Sequence, residues 1–155
     1  MHDEGLNRLL GKAARFCTLR ERSPKEVEKK LLKWETDERQ IAAVISRLKK
    51  EGFLDEERFA RAYCHDKFEF NKWGKVKIRF EIKRHLNDED FIQIGLNHID
   101  SHRYEDTLLE LARKKWESIV SNDEFEKKQK VAAYLIRKGF ESHLVFEQLD
   151  KMSNS

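Results

Sequence analysis

The sequence predicts an all-α fold: three tandem three-helix repeats stacked into an elongated, curved body. Three observations carry this expectation. No stretch of the 155 residues sustains period-two alternation of apolar and polar side chains between turn residues. Helix start and stop signals recur along the chain instead. Apolar positions also repeat under shifts of 51 and of 104 residues, the mark of a repeat architecture.

The elements follow in order. A first helix spans about residues 6–20. Ser23-Pro24-Lys25-Glu26 then spells a capping box with proline at the first helical position: the Ser23 hydroxyl accepts from the amide three residues on, and the Glu26 carboxylate reaches back to the Ser23 amide. Val27, Leu31 and Trp34 follow at helical spacing. The next helix opens at Thr36 or Asp37 and carries Ile41, Val44, Ile45 and Leu48 on one face. It closes at Lys49-Lys50-Glu51-Gly52, with basic residues at the carbonyl end and glycine just beyond. Asp55 opens a helix through Phe59, Ala62 and Tyr63. Residues 74–86 continue as a basic helix, and Asn87-Asp88-Glu89-Asp90 marks another N-terminus with Asn87 as its cap. Another helix falls near residues 103–119, giving eight or nine in all with short connections.

A shift of 51 superposes Val27, Leu31, Ile41, Ile45 and Leu48 on Ile78, Ile82, Ile92, Leu96 and Ile99. A shift of 104 superposes the same five on Val131, Leu135, Val145, Leu149 and Met152, and every position is apolar. In each set the first two lie four apart on one helix and the last three on the next. A further helix precedes each pair. The expected organisation is a tail at 1–5, repeats at 6–52, 53–100 and 101–152, and a tail at 153–155. A three-helix unit of this size buries little by itself, so neighbours must stack to share a core.

Composition narrows the functional classes. Charged residues make up 39% of the chain, which leaves a thin core and a large solvated surface. The longest apolar run, Val131 to Ile136, is far short of the ~20 residues of a membrane-spanning helix. The opening Met1-His2-Asp3-Glu4-Gly5 lacks the basic-then-apolar order of a secretory signal, and Cys17 and Cys64 form no metal or redox spacing. A cytoplasmic protein is the expectation. The net charge of +3 is unevenly spread: residues 1–50 carry 13 basic and 8 acidic side chains, whereas residues 51–100 carry 9 and 11. Within that acidic third, residues 67–86 hold seven bases against Glu69 and Glu81. A solvated helix face accounts for such a run as readily as a binding surface does.

Four local stretches resemble the RecX family, regulators of the RecA recombinase. Arg22-Ser23-Pro24-Lys25-Glu26-Val27 resembles that family's opening segment, and Gly52-Phe53-Leu54-Asp55-Glu56-Glu57-Arg58-Phe59-Ala60 its junction between repeats. Trp73-Gly74-Lys75-Val76-Lys77-Ile78 resembles the basic helix of the second repeat, and the run from Lys130 to Lys138-Gly139-Phe140 the turn of the last. The likeness extends from about Leu6 to Met152. It departs at the helix turns, where many members carry glycine in every repeat. Here only the third does, at Gly139; the first reads Trp34-Glu35-Thr36 and the second His85-Leu86-Asn87.

The resemblance implies a binding protein rather than an enzyme. Family members lie in the groove of the RecA–single-stranded-DNA filament, touch several protomers, and restrain its ATP hydrolysis, growth and strand exchange in recombination, DNA repair and the SOS response. The expected partners are thus the RecA filament and the single-stranded DNA within it, bound weakly without the recombinase, by a monomer with no cofactor.

The candidate contact residues are Lys72, Lys75, Lys77, Arg79, Phe80, Lys83 and Arg84. On a helical wheel of residues 74–86, Ile78, Ile82 and Leu86 share the apolar face; Lys77 and Arg84 stand nearly opposite, with Phe80 close by and Lys83 beside it. A ring among basic side chains suits stacking on a nucleobase or plugging a protein pocket, with the basic side chains meeting phosphates or acidic side chains. Alternatively Phe80 packs on another helix beneath the lysine stems. A secondary basic stripe is Lys25, Lys29 and Lys33, spaced by four in a neighbourhood that also holds Arg15, Arg20, Arg22 and Lys30. Interleaved Glu21, Glu26 and Glu28 point there to ordinary helix pairing.

Catalytic patterns are missing from the sequence: no glycine-rich phosphate loop and no Cys-x-x-Cys. His98 and His102 are four apart, but Asp100-Ser101 between them reads as a joint, so solvent-exposed histidines are the expectation. Asp55-Glu56-Glu57 reads as a helix start, where acids collect for dipole reasons. The competing function is a stand-alone helical nucleic-acid-binding module without a recombinase partner.

Overall fold

The computed structural model describes residues 2–153, with side chains from residue 4 onward. Among these residues the chain forms nine α-helices and no strand: α1 (His2–Leu19), α2 (Pro24–Lys33), α3 (Glu38–Lys50), α4 (Glu56–Glu69), α5 (Lys75–Ile82), α6 (Glu89–Asn97), α7 (Ser101–Ser118), α8 (Glu124–Arg137) and α9 (Ser142–Ser153). Of the expected tails, Met1, Asn154 and Ser155 lie outside the described residues. Residues 2–5 begin α1, and Ser153 ends α9.

The caps explain where the helices start. At α2 the Ser23 hydroxyl accepts from the Glu26 amide at 3.1 Å, and a Glu26 carboxylate oxygen accepts from the Ser23 amide at 3.2 Å, completing the capping box. Asp37, not Thr36, caps α3 and accepts from the Gln40 amide at 2.9 Å. Asp55 holds the Arg58 amide at the start of α4, 3.1 Å away. The cap expected at Asn87 falls one residue later: the Asp88 carboxylate accepts from the amides of Asp90 (2.9 Å) and Phe91 (3.3 Å). Both residue types can cap, but a carboxylate also meets the positive end of the helix dipole. The Asn87 side chain instead accepts from the Lys25 ammonium at 2.9 Å.

The repeat register shows in the burial pattern. All fifteen superposed apolar positions are buried except Ile45 and Met152, which are half-buried. The helix turns obey the register differently. α2 ends with Glu35 at φ 56°, its amide bonded to the Leu32 carbonyl (3.0 Å) and the Thr36 amide to Leu31 (3.2 Å). α8 ends with Gly139 at φ 101°, its amide on Ile136 (2.9 Å) and the Phe140 amide on Leu135 (3.2 Å). These are the same Schellman closure, 104 residues apart. The second repeat closes otherwise: the His85 and Leu86 amides both return to the Ile82 carbonyl. There α5 stops at Ile82, four residues short of the helix expected to residue 86.

Backbone proximity divides the chain into two compact units. Unit 1 comprises residues up to Tyr63 with Ile82–Gly95. Its core joins α1, α2 and α3 through Ala13, Cys17, Val27, Leu31, Val44 and Leu48. Phe59, Tyr63 and His85 form an aromatic trio with ring centroids 5.4–5.8 Å apart. Unit 2 comprises Cys64–Glu81 with the chain from Leu96 onward. Its core includes Phe68, Ile78, Leu108, Leu135, Phe140, Val145 and Leu149. Tyr104 packs between Phe68 and Phe140, at 5.6 and 5.2 Å.

Within unit 2 the start of α5 meets the end of α8 almost backbone to backbone. The Gly74 amide donates to the Lys138 carbonyl at 2.8 Å, and the Val76 amide to the Gly139 carbonyl at 2.9 Å. Between them the Lys75 amide donates to the Tyr104 hydroxyl at 2.8 Å, which in turn donates to the Glu141 carboxylate. Amides that a helix N-terminus leaves unmatched thus meet carbonyls that another helix leaves unmatched at its C-terminus. A Cβ on Gly74 would lie 2.3 Å from the Gly139 carbonyl carbon, so only glycine admits this approach.

Both cysteines are free and buried. Burial pushes both thiols up, Cys64 to about 12, so neither is appreciably thiolate near neutral pH.

Candidate nucleic-acid interface

The basic residues singled out from the sequence are divided between the units. Lys72, Lys75, Lys77, Arg79 and Phe80 fall in unit 2; Lys83 and Arg84 fall in unit 1. They do not share one helix face, because α5 ends at Ile82 and Lys83–His85 form a turn.

In unit 2 the arrangement centres on Trp73, which sequence reasoning quoted but did not rank as a contact. The Lys67 and Lys77 ammoniums lie 5.0 and 4.6 Å from its ring centroid, within cation–π range. Lys72, just before it, holds a left-handed φ of 57° in the connection between α4 and α5. Lys138 joins this group from the far end of the chain, its ammonium donating to the Asn71 carbonyl at 3.1 Å. Partial burial and then the positive charges of Lys77 and Lys72 hold the Lys138 ammonium below the usual lysine range. Glu69, one of the two acids in the 67–86 window, is forked by Arg103 at 3.0 and 2.6 Å. No signal in the local sequence pointed to Lys138. It reaches Lys77 because Gly74 and Gly139 let two backbones touch.

The other unit 2 candidates have individual settings. The Lys75 ammonium sits 5.0 Å from the Tyr104 ring centroid. Arg79 lies close enough to Cys64 to act on its thiol electrostatically. Phe80 is 69% exposed, so it is not the packed side chain that the simpler alternative required.

In unit 1 the secondary stripe gains a wall. Lys25, Lys29 and Lys33 line a cleft of about 500 Å³ that also takes in Lys30, Arg20, Arg22 and Arg84. Seven basic side chains thus line one cleft with Glu26, the one carboxylate among its described lining residues, and with Phe16 and His85. Arg84, assigned from the wheel to the Lys77 face, belongs with the stripe. Lys83 is paired elsewhere, with Glu89 at 3.1 Å. Arg22 stacks on Phe16, its guanidinium 3.8 Å from the ring centroid, and bonds the Phe16 carbonyl at 3.1 Å. Burial, then neighbouring Arg20, lowers the Arg22 pKa from the usual arginine range. Spacing by four revealed the stripe; Arg20, Arg22 and Arg84 come to it through the turns that flank α2 and follow α5.

The expected joint at Asp100 is a helix cap: its carboxylate accepts from the Arg103 amide at 3.0 Å and is held below the usual range by that bond. His98 therefore precedes the cap, while His102 lies in the first turn of α7. Among the described residues no group of three or more His, Cys, Asp or Glu side chains is placed to hold a metal ion. No helix among them is long and apolar enough to cross a membrane.

Comparison with known proteins gives these surfaces a family. The RecX first three-helix domain matches residues 10–48, the second residues 55–93 and the third residues 103–149. The chain is 31% identical over 143 residues to "Regulatory protein RecX" of Chlorobium phaeobacteroides (strain BS1), covering 92% of each. It is 33% identical over 153 residues to the protein of the same name from Bacillus subtilis (strain 168), where it spans 96% of its own length but 55% of the relative's. The fold is that of the crystal structure of RecX from Lactobacillus salivarius, with a TM-score of 0.89, 18% identity and all of both chains aligned. With helical domains, their order and near-full-length identity all agreeing, this chain belongs to the RecX family of regulatory proteins.

Proposed function

We propose that this protein binds the RecA–single-stranded-DNA filament along its groove and restrains its ATP hydrolysis, growth and strand exchange, without catalysing a reaction of its own. It acts as a monomer in the cytoplasm, in recombination, DNA repair and the SOS response. The observation that carries this reading is the ordered match of three RecX three-helix domains over residues 10–149. The two basic surfaces supply a physical means. Each unit presents its own cations, at Lys72, Lys77 and Lys138 in one and in the Arg84–Lys29 cleft in the other. Linked modest sites combine into useful avidity on a polymeric target.

The test is single-stranded-DNA-dependent ATP hydrolysis by the recombinase of the same organism, with this protein titrated in near physiological salt. Hydrolysis falling well below one molecule per protomer indicates blocked filament growth; a fall only near saturation indicates groove occupancy. Unchanged hydrolysis, together with DNA binding of the protein by itself at that salt, would replace the proposal with a stand-alone nucleic-acid module.

A further inference from the structure

The unit 1 cleft contains its own anion. Glu26 stands among seven cations with its side chain only 14% exposed. One oxygen lies 2.5 Å from Arg20 and 3.7 Å from Arg22; the other accepts from the Ser23 amide and lies 3.8 Å from the His85 ring. The geometry is that of an occupied oxyanion site. Two guanidiniums, a group that suits phosphate as well as carboxylate, each turn one nitrogen toward a side chain of the protein itself, while Arg20 also donates to the Glu21 carbonyl and Arg22 to that of Phe16. Lys29, Lys33 and Arg84 also line the cleft.

We propose that Glu26 is a built-in competitor for phosphate: the cleft accepts the phosphodiester backbone of single-stranded nucleic acid, and Glu26 sets its affinity by holding Arg20 and Arg22. The choice of single-stranded DNA as ligand rests on the filament reading above; the role of Glu26 rests on the cleft. A phosphodiester chain carries one fixed charge per residue and binds by displacing counterions, needing no apolar anchor. An acidic peptide draws its affinity from buried aromatic or aliphatic anchors. Phe16, the one apolar residue among the described lining residues, is already covered by Arg22. Competition by Glu26 keeps the free protein's hold on DNA weak, so binding comes to depend on additional contacts.

Glu26→Gln separates the two duties of this residue. Glutamine still accepts from the Ser23 amide, so the capping box survives, while the negative charge facing the two guanidiniums is lost. Glu28→Gln makes the same change in net charge two residues further along α2, outside the lining of the cleft. Binding of a fluorescent oligo-dT to the full chain is followed by anisotropy across a salt series, with thermal melts as the folding control. Glu26→Gln is expected to tighten binding about threefold or more and to steepen the log–log salt dependence by roughly 0.7 per phosphate gained. Arg20→Ala in the Glu26→Gln background is expected to abolish the gain. An equal gain from Glu28→Gln would reduce the effect to net charge and overturn the proposal. So would unchanged oligo-dT binding by folded Glu26→Gln, or a gain confined to a labelled oligo-glutamate peptide. Parallel recombinase ATPase titrations keep the two proposals apart. Restraint of hydrolysis with no Glu26 effect removes only the competitor; a Glu26 effect without restraint removes only the filament reading.

Discussion

The end of α2 in unit 1 and the end of α8 in unit 2 have the same backbone conformation but different residues. Both close a Schellman motif onto the third- and second-last carbonyls, with bonds of 3.0 and 3.2 Å at α2 and 2.9 and 3.2 Å at α8. Both place the next residue at positive φ. One uses Glu35, the other Gly139. A left-handed φ costs a non-glycine residue about 1–2 kcal/mol, which a folded domain can absorb. Gly139 answers to a second demand. A Cβ there would lie 2.3 Å from the Cβ of Lys77 and 2.7 Å from the Lys77 amide nitrogen. Its residue type is set by a helix more than 50 positions away in sequence, not by its own turn. The comparison teaches that a turn glycine can report a close tertiary approach, and that the absence of glycine at 35 does not break the repeat.

The comparison breaks most readily at Gly139. Gly139→Ala is expected to cost about 3 kcal/mol or more, since both φ and the α5 backbone oppose it. Gly52→Ala, at φ 82° but with nothing within 4 Å of the added Cβ, should cost about 1 kcal/mol. Urea melts of the two variants decide this; equal losses would mean that the α5–α8 approach contributes nothing.

A smaller effect belongs to the polar link beside that approach. Tyr104→Phe leaves the Lys75 amide and the Glu141 carboxylate without their shared hydroxyl. The expected loss is about 1–2 kcal/mol. Faster amide exchange at Lys75 than at Leu31 would localise it to the start of α5.

The smallest effect has the opposite sign. Glu35→Gly relieves the left-handed strain but adds unfolded-state entropy, for a net gain of about 0.5 kcal/mol. A loss at this position would show that the Glu35 side chain contributes more than its turn.

Much of the helical frame was legible before the structure, because its causes are local. Ser23, Pro24 and Glu26 are adjacent in sequence, and the box they form needs no distant partner. The apolar register likewise followed from period alone, since a helix face is defined by spacing. The cap at Asn87 was misplaced by one residue because two neighbouring side chains can both cap, and a long-range contact, Lys25 to Asn87, engages one of them. The candidate surface was legible as charge and not as geometry. Lys77 and Arg84 share a wheel only if α5 continues to residue 86, and the chain turns after Ile82.

What the sequence determined by itself was the all-α class, most of the helix starts, the internal repeat and the residue types of the basic stripes, all set by interactions within a few positions along the chain. The tertiary structure decided which cations meet. It brought Lys138 to Lys77 and Arg84 to Lys29, and it placed the single carboxylate of Glu26 among the cations of the unit 1 cleft. The physical reason is that side-chain spacing along one helix follows a fixed period, whereas the meeting of two helices depends on where backbones can approach. At the α5–α8 approach that was settled by two glycines and a tyrosine far apart in the chain.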